Sequence, residues 1–141
     1  MALPDLCIIS CGSAKTRTAN SAHRLYTGSY FKIQLAWARS HYPASKIRIL
    51  SAKHGLLKLT DKVAPYDLRM GTPGSITAEA LATQLPYGAR LVTSCGADYL
   101  APLQKAATVR GCTIDTPFSH YPGMGYKAQA MKRATRKDRN V

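Results

Sequence analysis

Four short apolar runs in this 141-residue chain each end in a cluster of small, polar or cationic residues, and those clusters hold most of its candidate chemistry. The first is Ser10-Cys11-Gly12-Ser13-Ala14-Lys15. Two hydroxyls, a thiol, an ammonium group and the N–H groups of a glycine-containing turn come within reach of one anionic group there. It is not a GxxxxGK[ST] loop, which argues against a P-loop ATPase. The second cluster, Ser51-Ala52-Lys53-His54-Gly55, sets a phosphate-binding cation beside an imidazole that moves protons near neutral pH. The third, Ser94-Cys95-Gly96-Ala97-Asp98-Tyr99, puts a thiol at the expected start of a helix, where a thiolate is stabilised, with Asp98 as the helix cap. The fourth, Gly123-Met124-Gly125-Tyr126, is a short turn before a helix, of the kind whose N–H groups hold phosphate.

A further segment, Pro65-Tyr66-Asp67-Leu68-Arg69-Met70-Gly71-Thr72, carries one of only seven acids in the chain. No helical pattern requires Asp67, so it is the first choice wherever the reaction needs a carboxylate; an ion pair with Arg69 is its plainer role. The candidate catalytic residues are therefore Asp67, Lys53 and His54. The candidate phosphate- and substrate-binding residues are Ser10, Cys11, Gly12, Ser13, Lys15, Ser51, Tyr66, Arg69, Cys95, Gly96, Gly123 and Gly125.

Positioning these residues requires strands that stop where the clusters begin. Residues 6–10, 46–51, 89–94 and 111–115 read as buried strands, and helical spacing fills the intervals. Phe31, Leu35, Ala38 and Tyr42 recur behind Ser29 as cap. Ala78, Leu81, Ala82 and Leu85 follow Ser75, and Leu100, Leu103 and Ala107 follow Asp98, with Pro102 expected in the first turn. Strands alternating with helices predict a three-layer α/β fold: a mainly parallel sheet of about four or more strands with helices on both faces. In such a sheet all the carboxyl ends share one edge, so Ser10, Cys11, Lys15, Ser51, Lys53 and Cys95 are expected to converge. Residues 1–126 form one α/β domain in this reading, and 127–141 a basic C-terminal helix or arm.

Charge narrows the partners. Twenty Lys and Arg against seven Asp and Glu leave +13, which draws polyanions to the surface. Lys127, Lys132, Arg133, Arg136, Lys137 and Arg139 crowd the last segment as candidate nucleic-acid contacts. DNA, RNA or a nucleotide is the expected partner. A membrane is not, because no apolar run approaches the ~20 residues of a span. The four cysteines, Cys7, Cys11, Cys95 and Cys112, have no CxxC spacing, so no metal and no cofactor is expected. The start of the chain lacks the pattern of a secretory signal, and a cytoplasmic protein is expected.

The stretch Leu50 to Leu57, followed by Val63 to Thr72, resembles the YaaA family of DNA-associated stress proteins, which carry a YGLL segment and then PYRLEMGT. The family's Arg and Glu fall where this chain has Asp67 and Arg69. A closer resemblance, over nearly the whole chain, is to YaaA-related small proteins of phages and bacteria. The residues that carry it are Cys11, Gly12 and Lys15; Leu25-Tyr26-Thr27-Gly28-Ser29-Tyr30-Phe31; Ser51 to Leu57; Pro65 to Asp67; and Gly123 to Gly125. More loosely, Cys11 with Lys15 resembles a segment of archaeosine synthase, which adds an amine to a modified base in RNA. These resemblances imply a nucleic-acid-linked role and add weight to Lys15, Lys53 and Asp67.

The expected function is a nucleic-acid-associated enzyme that processes a base or nucleotide, by glycosidic-bond cleavage or transfer or by base modification, in DNA modification. The alternative is a non-catalytic DNA- or RNA-binding protein, for which the charge and the basic segment suffice.

Overall fold

In the computed structural model, which describes the backbone of residues 3–139 and the side chains of residues 3–135, the run Leu6–Ser10 forms β1 with all five residues buried. Burial on both faces is what a near-continuous apolar run requires, and it places β1 inside a sheet. Ile47–Ser51 (β3) and Arg90–Thr93 (β6) flank it, both parallel, with Cys7 opposite Ile47 on one side and Val92 on the other. Thr113–Asp115 (β7) extends the sheet parallel to β6, and Gly55–Lys58 (β4) closes the other end antiparallel to β3. The five strands run in the order β4-β3-β1-β6-β7. Asn20–Ser21 (β2) and Lys62–Val63 (β5) form a separate two-stranded ribbon.

The helices are Ala22–Leu25 (α1), Ser29–His41 (α2), Ala78–Ala82 (α3), Ala97–Arg110 (α4) and Met124–Arg139 (α5). Alternate strand residues separate two cores, as the period of two demands. Cys7, Ile9, Ile47, Ile49 and Val92 pack with Phe31, Leu35, Trp37 and Ala38 of α2 and with Met131 of α5. Leu6, Ile8, Leu50 and Leu91 pack with Leu81 of α3 and with Leu103 and Ala106 of α4. The result is the three-layer α/β fold expected, with α2 and α5 on one face and α3 and α4 on the other. Among the described residues no helix is long and apolar enough to cross a membrane.

Several local expectations change. The cap of α2 is Gly28, so Ser29 is the first helical residue. The cap of α3 is Thr77, whose hydroxyl accepts the Ala80 N–H, rather than Ser75. The cap of α4 is Gly96, which moves Asp98 into the first turn and Pro102 into the second. The larger change concerns the basic segment. Of the helix and the arm expected there it is the helix, but α5 begins at Met124 rather than at residue 127 and packs along α2 with Ala130, Met131 and Thr135 buried, so it is part of the domain. Those residues, with half-buried Ala134, recur three and four apart, and so narrow a stripe suffices to cover a single neighbouring helix.

Candidate functional site

The chain leaves β1 towards β3 on one side and leaves β6 towards β7 on the other, so the carboxyl ends of β1 and β6 bound the point where the strand order reverses. Parallel α/β sheets bind ligands in the crevice at that point. A cavity of about 510 Å³ opens here, within the usual size of a small-molecule site. Its walls are residues 10–14 after β1, Gly28 to Phe31 at the start of α2, Gly96 to Tyr99 at the start of α4, and Gly123, Met124 and Lys127 at the start of α5. Three helix N-termini thus meet at one cavity. The first N–H groups of each have no acceptor within their own helix, and each helix dipole turns its positive end the same way. Lys127 adds a full charge. A second cavity of the same volume lies at the opposite edge of the sheet, beside Arg90 and Thr113 at the strand starts and His41 at the C-terminal end of α2, where the dipole disfavours anions.

Gln34 holds the crevice in shape. It is fully buried, and its Oε1 accepts the Ser10 N–H at 3.0 Å, the Ser10 hydroxyl at 3.2 Å and the Ser94 hydroxyl at 2.7 Å, while its Nε2 donates to the Ser10 carbonyl at 3.2 Å. One side chain therefore ties the end of β1 to the end of β6. Replacing it by leucine strips partners from several buried polar groups at once. Gln34→Leu is expected to cost on the order of 3 kcal/mol, since a buried polar group left unsatisfied costs about 1–3 kcal/mol. A melting temperature within about 2 °C of the parent in thermal denaturation would remove Gln34 from this role. In the cavity wall the Cys11 thiol lies 3.1 Å from the Tyr99 hydroxyl, and the buried Tyr30 hydroxyl has no hydrogen-bond partner among the described residues.

A second cluster adjoins the first. Ser51 Oγ accepts the N–H groups of Lys53 and His54 at 3.2 and 3.1 Å, so its own proton goes to the Tyr66 hydroxyl, 2.6 Å away. Tyr66 and Tyr26 meet hydroxyl to hydroxyl at 2.6 Å. Lys15 Nζ stands 4.4 Å from the Tyr66 ring centre and Lys53 Nζ 6.0 Å from it, within cation–π range. Lys15 also donates to the Ser13 carbonyl at 3.1 Å, which carries the cluster to the cavity wall. The turn that presents Lys53 and His54 depends on Gly55. Its φ of +75° suits glycine, and a Cβ there would land on Gln84 Oε1 and Ile76 Cδ1.

Burial governs the titration of these groups. It pushes the Tyr26 hydroxyl up to about 12, and it raises Tyr66 and Tyr99 further, with the nearby Cys11 thiol adding to the effect. Burial and then the Lys53 charge lower the His54 pKa, so this imidazole is neutral at neutral pH. It lies edge-on to Tyr66 with ring centres 5.6 Å apart. No group of three His, Cys, Asp or Glu among the described residues lies close enough to hold a metal ion.

Of the residues expected to do chemistry, Ser10, Cys11, Gly12, Ser13, Gly96 and Gly123 line the cavity together with Lys127. Lys15, Ser51, Lys53, His54 and Tyr66 form the adjoining cluster. Others do not join. Cys95 is not poised as a thiolate at a helix start: it is 6% exposed, its thiol donates to the Ile8 carbonyl, and desolvation pushes its pKa up to about 12. Asp67 and Arg69 are exposed on the loop after β5, outside the cavity wall, and no Asp67–Arg69 ion pair forms among the described residues. Gly125 is exposed in the first turn of α5 and is not part of the wall. Lys132 and Arg133 are exposed on α5, and the side chains of Arg136, Lys137 and Arg139 lie outside the described residues.

The carboxylate that does line the cavity is Asp98, which sequence reasoning treats as a mere cap. Tyr30, Tyr99 and Gln34 escape it as well. Gln34 leaves one trace, a polar residue three positions after Phe31 and four before Ala38, inside the apolar arc of its helix.

Over residues 6–133 the chain matches the model of a family of unknown function, DUF6884, and it belongs to that family. It is similar to the uncharacterised protein YfjM of Bacillus subtilis (strain 168), with 32% identity over 143 residues, spanning 92% of this chain and 93% of that protein. Every residue that lines the cavity falls within the matched residues.

Proposed function

We propose that this member of the DUF6884 family is a nucleic-acid-associated enzyme that processes a base or nucleotide, by cleavage or transfer at a glycosidic bond or by modification of the base. One observation carries the reading: three helix N-termini and Lys127 surround a cavity of nucleotide size in a protein of net charge +13. The phosphate sits at the helix starts with Lys127, and the base lies against the rings of Tyr30 and Tyr99. Asp98 takes the role that the sequence reading gave to Asp67. A carboxylate beside the sugar stabilises the positive charge that grows as a glycosidic bond breaks. The resemblance to YaaA-related proteins agrees with work on nucleic acid.

The test is binding and turnover with nucleoside monophosphates and oligonucleotides, set beside thermal melting. Lys127→Ala is expected to weaken monophosphate binding by about tenfold, as befits one charge-assisted hydrogen bond. Asp98→Asn is expected to keep binding within a few-fold and to lower turnover by about 10²–10⁴. Full activity in both variants would sink the assignment of the site. A second reading, a non-catalytic binder, is favoured by the exposed Lys132 and Arg133 on α5. It predicts no turnover in the parent and graded losses of affinity spread over many Lys and Arg.

A further inference from the structure

We infer that the cavity receives its nucleotide from within a single strand of nucleic acid, with a neighbouring phosphate held between Lys15 and Lys53 and a neighbouring base stacked on Tyr126. The inference rests on the nucleotide reading of the cavity and adds the form in which the substrate arrives. Lys15 and Lys53 come from different loops, yet their ammonium groups stand 4.4 and 6.0 Å from the centre of the same Tyr66 ring. No carboxylate pairs with either among the described residues, so both ammonium groups are left to attract an anion from outside. Lys15 bonds to the carbonyl of Ser13, a residue of the cavity wall, which sets that anion beside the cavity and not within it. It is therefore a second phosphate position.

The start of α5 supplies the other part. Tyr126 is 60% exposed and Met124 59%, and both are large apolar side chains left to solvent next to the cavity-lining Lys127. An exposed aromatic ring beside a cation is the platform on which proteins stack single-stranded bases. The crevice gives the reason for a single strand. A base inside a duplex must leave its stack to enter it, whereas a single strand presents the base already free.

Fluorescence anisotropy with a labelled single-stranded oligodeoxynucleotide of about twelve residues, its duplex form, the matching oligoribonucleotide and deoxyadenosine monophosphate tests the inference; single-strand sites span about 4–16 nucleotides. The single strand is expected to bind at least tenfold more tightly than the monophosphate or the duplex. Preference between the deoxy and ribo strands identifies the sugar. Lys15→Ala with Lys53→Ala should flatten the dependence of log K on log salt by about 0.7 for each phosphate that is no longer neutralised. The drop in affinity should be larger for the strand than for the monophosphate. Tyr126→Ala should weaken the strand by about tenfold with little change in salt slope, as removal of one stacking platform does. A strand that binds no more tightly than the monophosphate, a duplex that binds best, or an unchanged salt slope in the folded double variant overturns the inference and leaves the cavity reading standing. Failure of the parent to bind the monophosphate at all overturns the cavity reading itself.

Discussion

Between about pH 9 and pH 12 the protein is expected to lose several kcal/mol of stability and to unfold, because its fold keeps acidic protons on groups that release them once exposed. Desolvation raises the Cys95 thiol from 9.0 to about 12 and the Tyr26 hydroxyl from 10.0 to about 12, and Tyr66 and Tyr99 are raised in the same direction. In that window the unfolded chain binds fewer protons than the folded one, so the slope of stability against pH is negative. Stability is full below the unfolded values and falls as the pH climbs towards the folded ones. Each unit of displacement is worth about 1.4 kcal/mol, and a domain has only about 5–15 kcal/mol in total. Urea denaturation followed by circular dichroism from about pH 8 to pH 12, with tyrosinate absorbance read in parallel, measures both sides of the linkage. Tyr26→Phe should remove part of the alkaline loss. Stability that stays flat across the window, with tyrosines ionising near 10, would mean that solvent reaches the Tyr26–Tyr66–Ser51 cluster.

Deleting residues 130–141 is expected to unfold the protein, not merely to weaken its hold on nucleic acid. The truncation removes Ala130, Met131 and Thr135, all buried, and uncovers the side of α2 against which α5 packs. Met131 is fully buried, and its loss alone should cost about 2–5 kcal/mol by the usual scale for a large core side chain. Met131→Ala should therefore lower the melting temperature by roughly 10 °C, at a few degrees per kcal/mol. Lys132→Gln with Arg133→Gln should leave melting within about 2 °C while reducing the salt slope of polynucleotide binding, because these side chains are exposed. A truncated protein that melts like the parent would show that α5 detaches without harm. Charge-neutralising variants, not truncations, are thus the means of testing basic residues on this helix.

The positions of the four parallel strands and the edge on which they end were determined by the sequence alone, whereas the antiparallel edge strand β4 and the β2–β5 ribbon were not. Residues 6–10 and 47–51 are apolar runs bounded by glycine or polar turns, a local pattern that survives any tertiary context, and parallel pairing then sends Ser10, Cys11, Lys15, Ser51 and Lys53 to one side. Which of them share a cavity was decided by the order β4-β3-β1-β6-β7, since that order puts the crevice beside β1 and β6 and leaves β3 with the adjoining cluster. Strand order depends on contacts between residues far apart in the chain. The same is true of Gln34, whose four hydrogen bonds go to Ser10 and Ser94, 24 and 60 residues away, and of Cys95, whose neighbours bury it and so deny it a charge. Asp67 and Asp98 look alike in the sequence as acids in polar segments. Only the meeting of the starts of α2, α4 and α5 separates them, because a carboxylate gains a role from the cavity wall it stands in and not from the residues beside it in the chain.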